Sequence, residues 1–496
     1  MPIKPFGPYR PDVSDYEGKH TQTVSNVVPR GDGYGPFQSF TAYSATLGSA
    51  ARGMFNARKN DGTVAIFAGT SAAKLYLLDN TTQAWTDVSV TSTSGSSTYS
   101  ALSANHNWQF AQFNKYVVAV QQNTTPQVYS LTTSTAFQDM SGSPPQAAYV
   151  SVVNRFLVLS GILAPNSYKI YWSGLNDIST WTSGVNSSDS QEFSDGGIVR
   201  GVAGGEYGVI FQDASIRRMV YAPGSPYVFG IERIAQDDGL YAPYSIVPAG
   251  DRIFYLSNEG FKMIAPGAYP QAIGKERVDN TFFNDVDAGN LGLVIGVHDP
   301  THTRVYWAYK SVNGATGQFD KILCYDWALD NWTLLSIMGE YISSSQQPGV
   351  TLEGVDAAYG SNIDTLTLDS FDSISTASLA SITAFDSNHK VGFFTGDNLE
   401  AILVTPEQGG DGKRIFITGI RPVTDASGAL VSISQRVNAA DSTSYSSEVG
   451  MYGTTGLAPV RVDTRYARAK IRIPAGTTWT YAAGVEPEGV STTGER

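Results

Sequence analysis

His298 and His302 lie four residues apart, a spacing that puts two imidazoles on one face of a helix and can hold a metal there. They stand in His298-Asp299-Pro300-Thr301-His302, and a proline between strand-like flanks makes this segment a solvated turn instead. His20, His106 and His389 are scattered. No Gly-x-Ser-x-Gly elbow marks a hydrolase nucleophile. The turns Asn60-Asp61-Gly62-Thr63, Ser194-Asp195-Gly196 and Asn176-Asp177-Ile178-Ser179-Thr180-Trp181 lack the regular Ser-x-Asp-x-Gly-x-x-Trp spacing of a sialidase-type glycosidase. Asp237-Asp238 precede Gly239 and read as a turn. Asp364, Asp369 and Asp372 could offer oxygen ligands to calcium, or simply form a solvated loop. The expectation is a protein without catalytic, cofactor or metal residues. One basic cluster stands out, Arg461, Arg465, Arg468, Lys470 and Arg472. Arg468, Lys470 and Arg472 alternate with apolar residues and so share one face of a strand. Three readings stay open for the cluster: a charged outer face, a subunit interface, or a surface that meets DNA.

The balance of charge narrows the partners. With 33 basic and 45 acidic residues the net charge is −12. A protein that grips a phosphate backbone does so with lysine and arginine, so a tight nucleic-acid binder is disfavoured, while a surface that duplex DNA slides past is allowed. The single cysteine, Cys324, lies in the apolar run Ile322-Leu323-Cys324-Tyr325. It permits no internal disulfide and reads as a buried strand residue. No run approaches the length of a membrane-spanning helix. The N-terminal Met-Pro-Ile-Lys-Pro-Phe-Gly-Pro is not a secretory signal, which leads to the expectation of a chain made in a cytoplasm and kept soluble or built into a particle.

These residues must be carried by strands. Charged residues are only 16%, glycine is 50 of 496, and aromatics are 11%; this is a composition of short strands and tight turns. No window carries a clean helical stripe. Residues 1–45, with Pro2, Pro5, Pro8, Pro11, Pro29 and Pro36, read as an extended arm, loose or laid along a neighbour. From 46 to 395 a block recurs: strand, strand ending in an aromatic, turn, aromatic. It appears in Lys74-Leu75-Tyr76-Leu77 before Trp85, in Gln127-Val128-Tyr129 before Phe137, in Lys169-Ile170-Tyr171-Trp172 before Trp181, and in Lys321-Ile322-Leu323-Cys324-Tyr325 before Trp332. Weaker hairpins at 208–221 and 252–264 fill the long gap. A repeat of this length with four short strands is the pattern of a β-propeller. Six blades fall near 50–100, 101–145, 146–200, 201–245, 246–296 and 297–340, and a degenerate seventh at 350–395 uses Leu366-Thr367-Leu368-Asp369 and Ala384-Phe385-Asp386. Seven blades are expected, with six the alternative count. Residues 396–496 hold longer alternating strands without the aromatic turns and predict a C-terminal β-sandwich-like domain. The fold class is therefore all-β.

Several local patterns match a known family. They are Lys169-Ile170-Tyr171-Trp172-Ser173 through Asp177 to Thr180-Trp181; Ile198-Val199-Arg200-Gly201-Val202 to Arg217-Arg218-Met219-Val220-Tyr221; and Gly239-Leu240-Tyr241-Ala242-Pro243 with Arg252-Ile253-Phe254-Tyr255-Leu256-Ser257. To these are added Phe393 to Thr405 with Gly396, Leu399 and Ala401, then Arg465-Tyr466-Ala467-Arg468, and Ile473-Pro474-Ala475-Gly476-Thr477-Thr478-Trp479. In these, and in its order of arm, propeller and β-rich C-terminal domain, the chain resembles the tail hub or nozzle proteins of short-tailed bacteriophages, the packaged-DNA stabilisation family. The likeness is one of rhythm more than identity. It implies a structural virion protein assembled in the bacterial host cytoplasm. It further implies a homo-hexameric ring that meets the portal, adaptor and other tail proteins, lets double-stranded DNA pass transiently, and retains packaged DNA until ejection. No catalytic residue comes with it. Other readings of the same scaffold are a carbohydrate-binding propeller or adhesin at a tail tip, and a hydrolase.

Overall fold

The computed structural model of the chain describes residues 3–14, 18–91, 99–347, 379–409 and 412–494. Nearly every regular element is a strand, and the one α-helix among the described residues is Asp279–Asp285. Seven four-stranded antiparallel sheets account for most of them. The first comprises Ala51–Arg58, Val64–Thr70, Leu75–Leu78 and Trp85–Asp87. The next five begin with Gln109–Phe113, Ala147–Val153, Val199–Ala203, Val247–Ala249 and Ile295–His298, and each runs outward in chain order. The turns are local in origin. Phe113 pairs with Tyr116 and Val153 with Phe156, leaving two-residue loops in which Asn114 and Asn154 take positive φ, as tight hairpins require and asparagine tolerates.

Apolar clusters join each sheet to the next. Phe67 of the first meets Tyr129 and Phe137 of the second, Phe156 and Trp172 of the third meet Phe229 of the fourth, and Phe254 and Phe261 of the fifth meet Trp307 of the sixth. The sixth packs on the seventh through Tyr306, Cys324 and Ile342, and the seventh returns to the first through Phe385, Ile66 and Leu78. Both faces of each second strand are thereby covered, so Val64–Thr70 and Phe156–Ile162 are buried along their whole length, as a strand packed on two sides must be. The aromatics expected at the outer turns lie in these interfaces, Tyr129 and Tyr325 included. Cys324 is buried, as its apolar run predicts.

The seventh sheet differs from its expected form. Its first strand is Tyr341–Gln347, followed by Leu379–Phe385 and Val391–Phe393, and its outermost strand is Thr41–Ala42, from the other end of the chain. The expected strand Leu366-Thr367-Leu368-Asp369 and the acids Asp364, Asp369 and Asp372 lie outside the described residues.

The described residues of the segment 1–45 are likewise not a free arm. Lys4–Pro5 and Gly33–Pro36 pair with Ala482–Glu488, Val27–Arg30 forms the edge beside Gly33–Pro36, and Val24–Ser25 pairs with Ala401–Val404. The prolines are accommodated because these strands are very short or at an edge. Two sheets result. One holds Gly419–Thr424 and Ala482–Glu488 with N-terminal strands, and the other holds Ala401–Val404, Ala469–Ile473 and Leu430–Gln435. They share one core in which Val27 and Tyr34 meet Ile420, Val431, Ile471 and Val485. That core continues into Trp307 and Trp332 of the sixth sheet.

Candidate functional site

The first strands of all seven sheets line a cavity of about 590 Å³, touched among others by Phe55, Gln109, Ser151, Val202, Val247, Val297 and Ser343. A bridge crosses where these strands begin. Asn107, which enters the second sheet, donates its backbone N–H to the Tyr244 hydroxyl at 2.7 Å and its side-chain amide to the Gly292 carbonyl at 2.6 Å. Tyr244 in turn stands edge-on to Tyr149 of the third sheet at 5.8 Å. The walls are almost uncharged. Burial pushes the Tyr149, Tyr244 and Tyr341 phenols above their ordinary range. His298 is held below the usual imidazole value by burial and lies 5.6 Å from the Trp327 ring. A cavity of this volume is the size of a small-ligand pocket, and a DNA duplex does not fit it.

His302 goes elsewhere: its Nδ1 is 3.0 Å from Asp299 Oδ2. The two histidines therefore face different partners across a turn, as Pro300 dictates, and no group of three metal-ligating side chains occurs among the described residues.

The basic cluster splits on inspection. Ala467, Ala469, Ile471 and Ile473 are buried, and Arg468, Lys470 and Arg472 alternate with them on the opposite side of the strand, each partly covered. Arg472 is clamped by two acids, Nη1 to Glu400 at 2.9 Å and Nη2 to Glu448 at 2.6 Å. The guanidinium beside it lowers Glu448 below the usual carboxylate range. Lys470 lies 5.7 Å from the centre of the Tyr445 ring. Arg468 stands 3.7 Å from Glu407, a buried carboxylate whose other oxygen takes the Arg436 Nε at 2.6 Å. Arg465 is half-buried and Arg461 is exposed. The strand face is real, but its charge is answered within the chain by Glu400, Glu407 and Glu448. Glu400 and Glu407 flank the strand Ala401–Val404; that proximity was the available signal, and Glu448 and Arg436 gave none.

No protein-family model matches the chain, and no curated protein matches it either.

Proposed function

We propose that this chain is a structural subunit of a short-tailed bacteriophage tail, a seven-bladed β-propeller joined to a sandwich-like C-terminal domain, which assembles as a homo-hexameric hub or nozzle ring. The observation that carries the reading is the double fastening of the chain. Thr41–Ala42 completes the seventh sheet, while Lys4–Pro5, Val24–Ser25 and Gly33–Pro36 are built into the sheets of the C-terminal region. A component that holds pressurised DNA is loaded mechanically, and closure of a ring of sheets by a strand from the opposite terminus resists opening, because every backbone hydrogen bond of that strand must break together. The cavity lined by the seven sheets of one chain is too small to conduct a DNA duplex. On this reading the duplex passes through the ring of subunits instead, whose net charge of about six times −12 repels the phosphate backbone.

Native mass spectrometry and electron microscopy of the purified chain, alone and with its portal, test the proposal. A six-fold ring that joins the portal is expected, with no retention of duplex DNA at physiological salt. A chain that stays monomeric and ignores the portal, or a salt-sensitive tight complex with duplex DNA, rejects it.

A further inference from the structure

We infer that the seam between the sixth and seventh sheets and the C-terminal sheets is a binding site for a neutral oligosaccharide. A cavity of about 610 Å³ opens there, room for about two or three sugar rings on the usual scale of ligand pockets. Six stretches of chain build it: Val28 and residues 36–38, 299–306, 381–382, 394–398 and 478–479.

Its walls are aromatic. Phe37 and Phe394 lie 5.1 Å apart, tilted by 52°, and both are half-buried, so each leaves surface for a guest. Trp479 is 3% exposed, and its indole N–H has no acceptor among the described residues. An unpaired buried donor is costly, and this one is itself closed off from solvent, so a guest reaches it only by turning the indole toward the cavity.

The charges of the site are already committed. Asp299 accepts from the Thr301 backbone at 2.9 Å, from the Thr301 hydroxyl at 2.7 Å and from His302 Nδ1 at 3.0 Å. Arg304 reaches Asp326 at 3.2 Å and the Pro29 carbonyl at 3.0 Å. What remains for a guest is polar but carries no acid and no free lysine or arginine head. His302 Nε2 has no partner among the described residues, the Gln38 amide is exposed, and Asn398 spends its N–H on Thr477 at 3.0 Å while keeping its carbonyl oxygen. Amides, an imidazole nitrogen and hydroxyls set around aromatic faces suit the hydroxyls and the apolar C–H face of a pyranose. A phosphate, a carboxylate or a metal ion would need charges that this site has used.

The test is binding of the full chain to an array of neutral and acidic bacterial polysaccharide fragments, followed by calorimetric titration with the best neutral fragment. One site per chain is expected. His302→Ala and Trp479→Phe should each weaken binding about five- to tenfold, Phe37→Ala more than tenfold, and Tyr227→Ala, an aromatic 76% exposed elsewhere, should leave it unchanged. His302 is 55% exposed, so its variant keeps the test valid even if Phe37→Ala fails to fold. Retention of acidic fragments only, of none at all, or binding that is indifferent to His302 and Trp479 overturns the inference.

Discussion

Glu407 decides whether the basic strand is a fastening or an open contact surface. Its side chain is 4% exposed and sits between Arg436 and Arg468, which are 14% and 13% exposed. Arg436 donates from Nε at 2.6 Å, stacks 5.6 Å from the Tyr466 ring and also reaches the Ala439 carbonyl at 2.9 Å. Arg468 at 3.7 Å interacts mainly through charge. Glu407→Gln keeps the shape but removes the anion, leaving two nearly buried guanidiniums facing one neutral amide. Breaking a buried ion pair from one side costs about 3–5 kcal/mol, and the slight exposure of both arginines argues for the lower end, about 3 kcal/mol. For a cooperative unit of 150–250 residues, each kcal/mol moves the melting temperature by about 2–4 °C, so a drop of about 6–12 °C follows. Arg436→Ala should cost nearly as much and Arg468→Ala clearly less, since only Arg436 donates a short bond to the carboxylate. Differential scanning calorimetry of the three variants reads the order directly. If Glu407→Gln melts with the wild type, or if Arg468→Ala is the most damaging, the reasoning is wrong.

Three further outcomes are expected. Burial, with Asp12 adding its charge, raises the Asp279 carboxyl to about 6. The folded state then holds its proton through a window where the unfolded chain has lost it, so stability is fullest at low pH and falls as pH rises from about 4 to about 6, by about 2 kcal/mol after allowing for partial solvation. Urea midpoints across that range should fall for the wild type and stay flatter for Asp279→Asn, and equal slopes would count against the assignment. Tyr244→Phe removes the acceptor of the Asn107 N–H, itself 2% exposed, at a cost of about 1–3 kcal/mol; hydrogen exchange at Asn107 should accelerate, and unchanged protection would refute the bridge. At Gly69 an added Cβ would lie 2.4 Å from the Trp108 ring, so Gly69→Ala should lower stability by about 1–3 kcal/mol through overpacking between the first two sheets, measured by chemical denaturation, whereas a neutral effect would show that Trp108 can move aside.

The strand blocks were legible because their causes are local. Two-residue turns with Asn114 and Asn154, apolar runs such as Val64–Thr70, and aromatics at the outer turns each act over a few residues. The fastenings were not legible, for the opposite reason. Val391 donates to Ser44 across 347 residues and Arg30 to the Thr480 carbonyl across 450, and the strands involved are as short as Lys4–Pro5 and Thr41–Ala42, too brief to show a period of two. The prolines of residues 1–45 spoke against helix, but Gly33–Pro36 lies inside a sheet between Ala482–Glu488 and Val27–Arg30, and they said nothing of where the segment docks. The alternation of Arg468, Lys470 and Arg472 was plain, whereas the acids that answer them come from two separate stretches of chain, around Ala401–Val404 and at Glu448, and meet only in the fold.

The position of Thr41–Ala42 bears on how the molecule comes into being. A ribosome delivers these residues long before Gly392 and Phe393, their hydrogen-bonding partners, and Lys4–Pro5 must wait longer still for Gly484 and Val485. Val27–Arg30 and Gly33–Pro36 can pair with each other early, but Lys4–Pro5 and Thr41–Ala42 stay without their partners until the sheets between have been made. Chains cut short during translation lack the partners needed to lock.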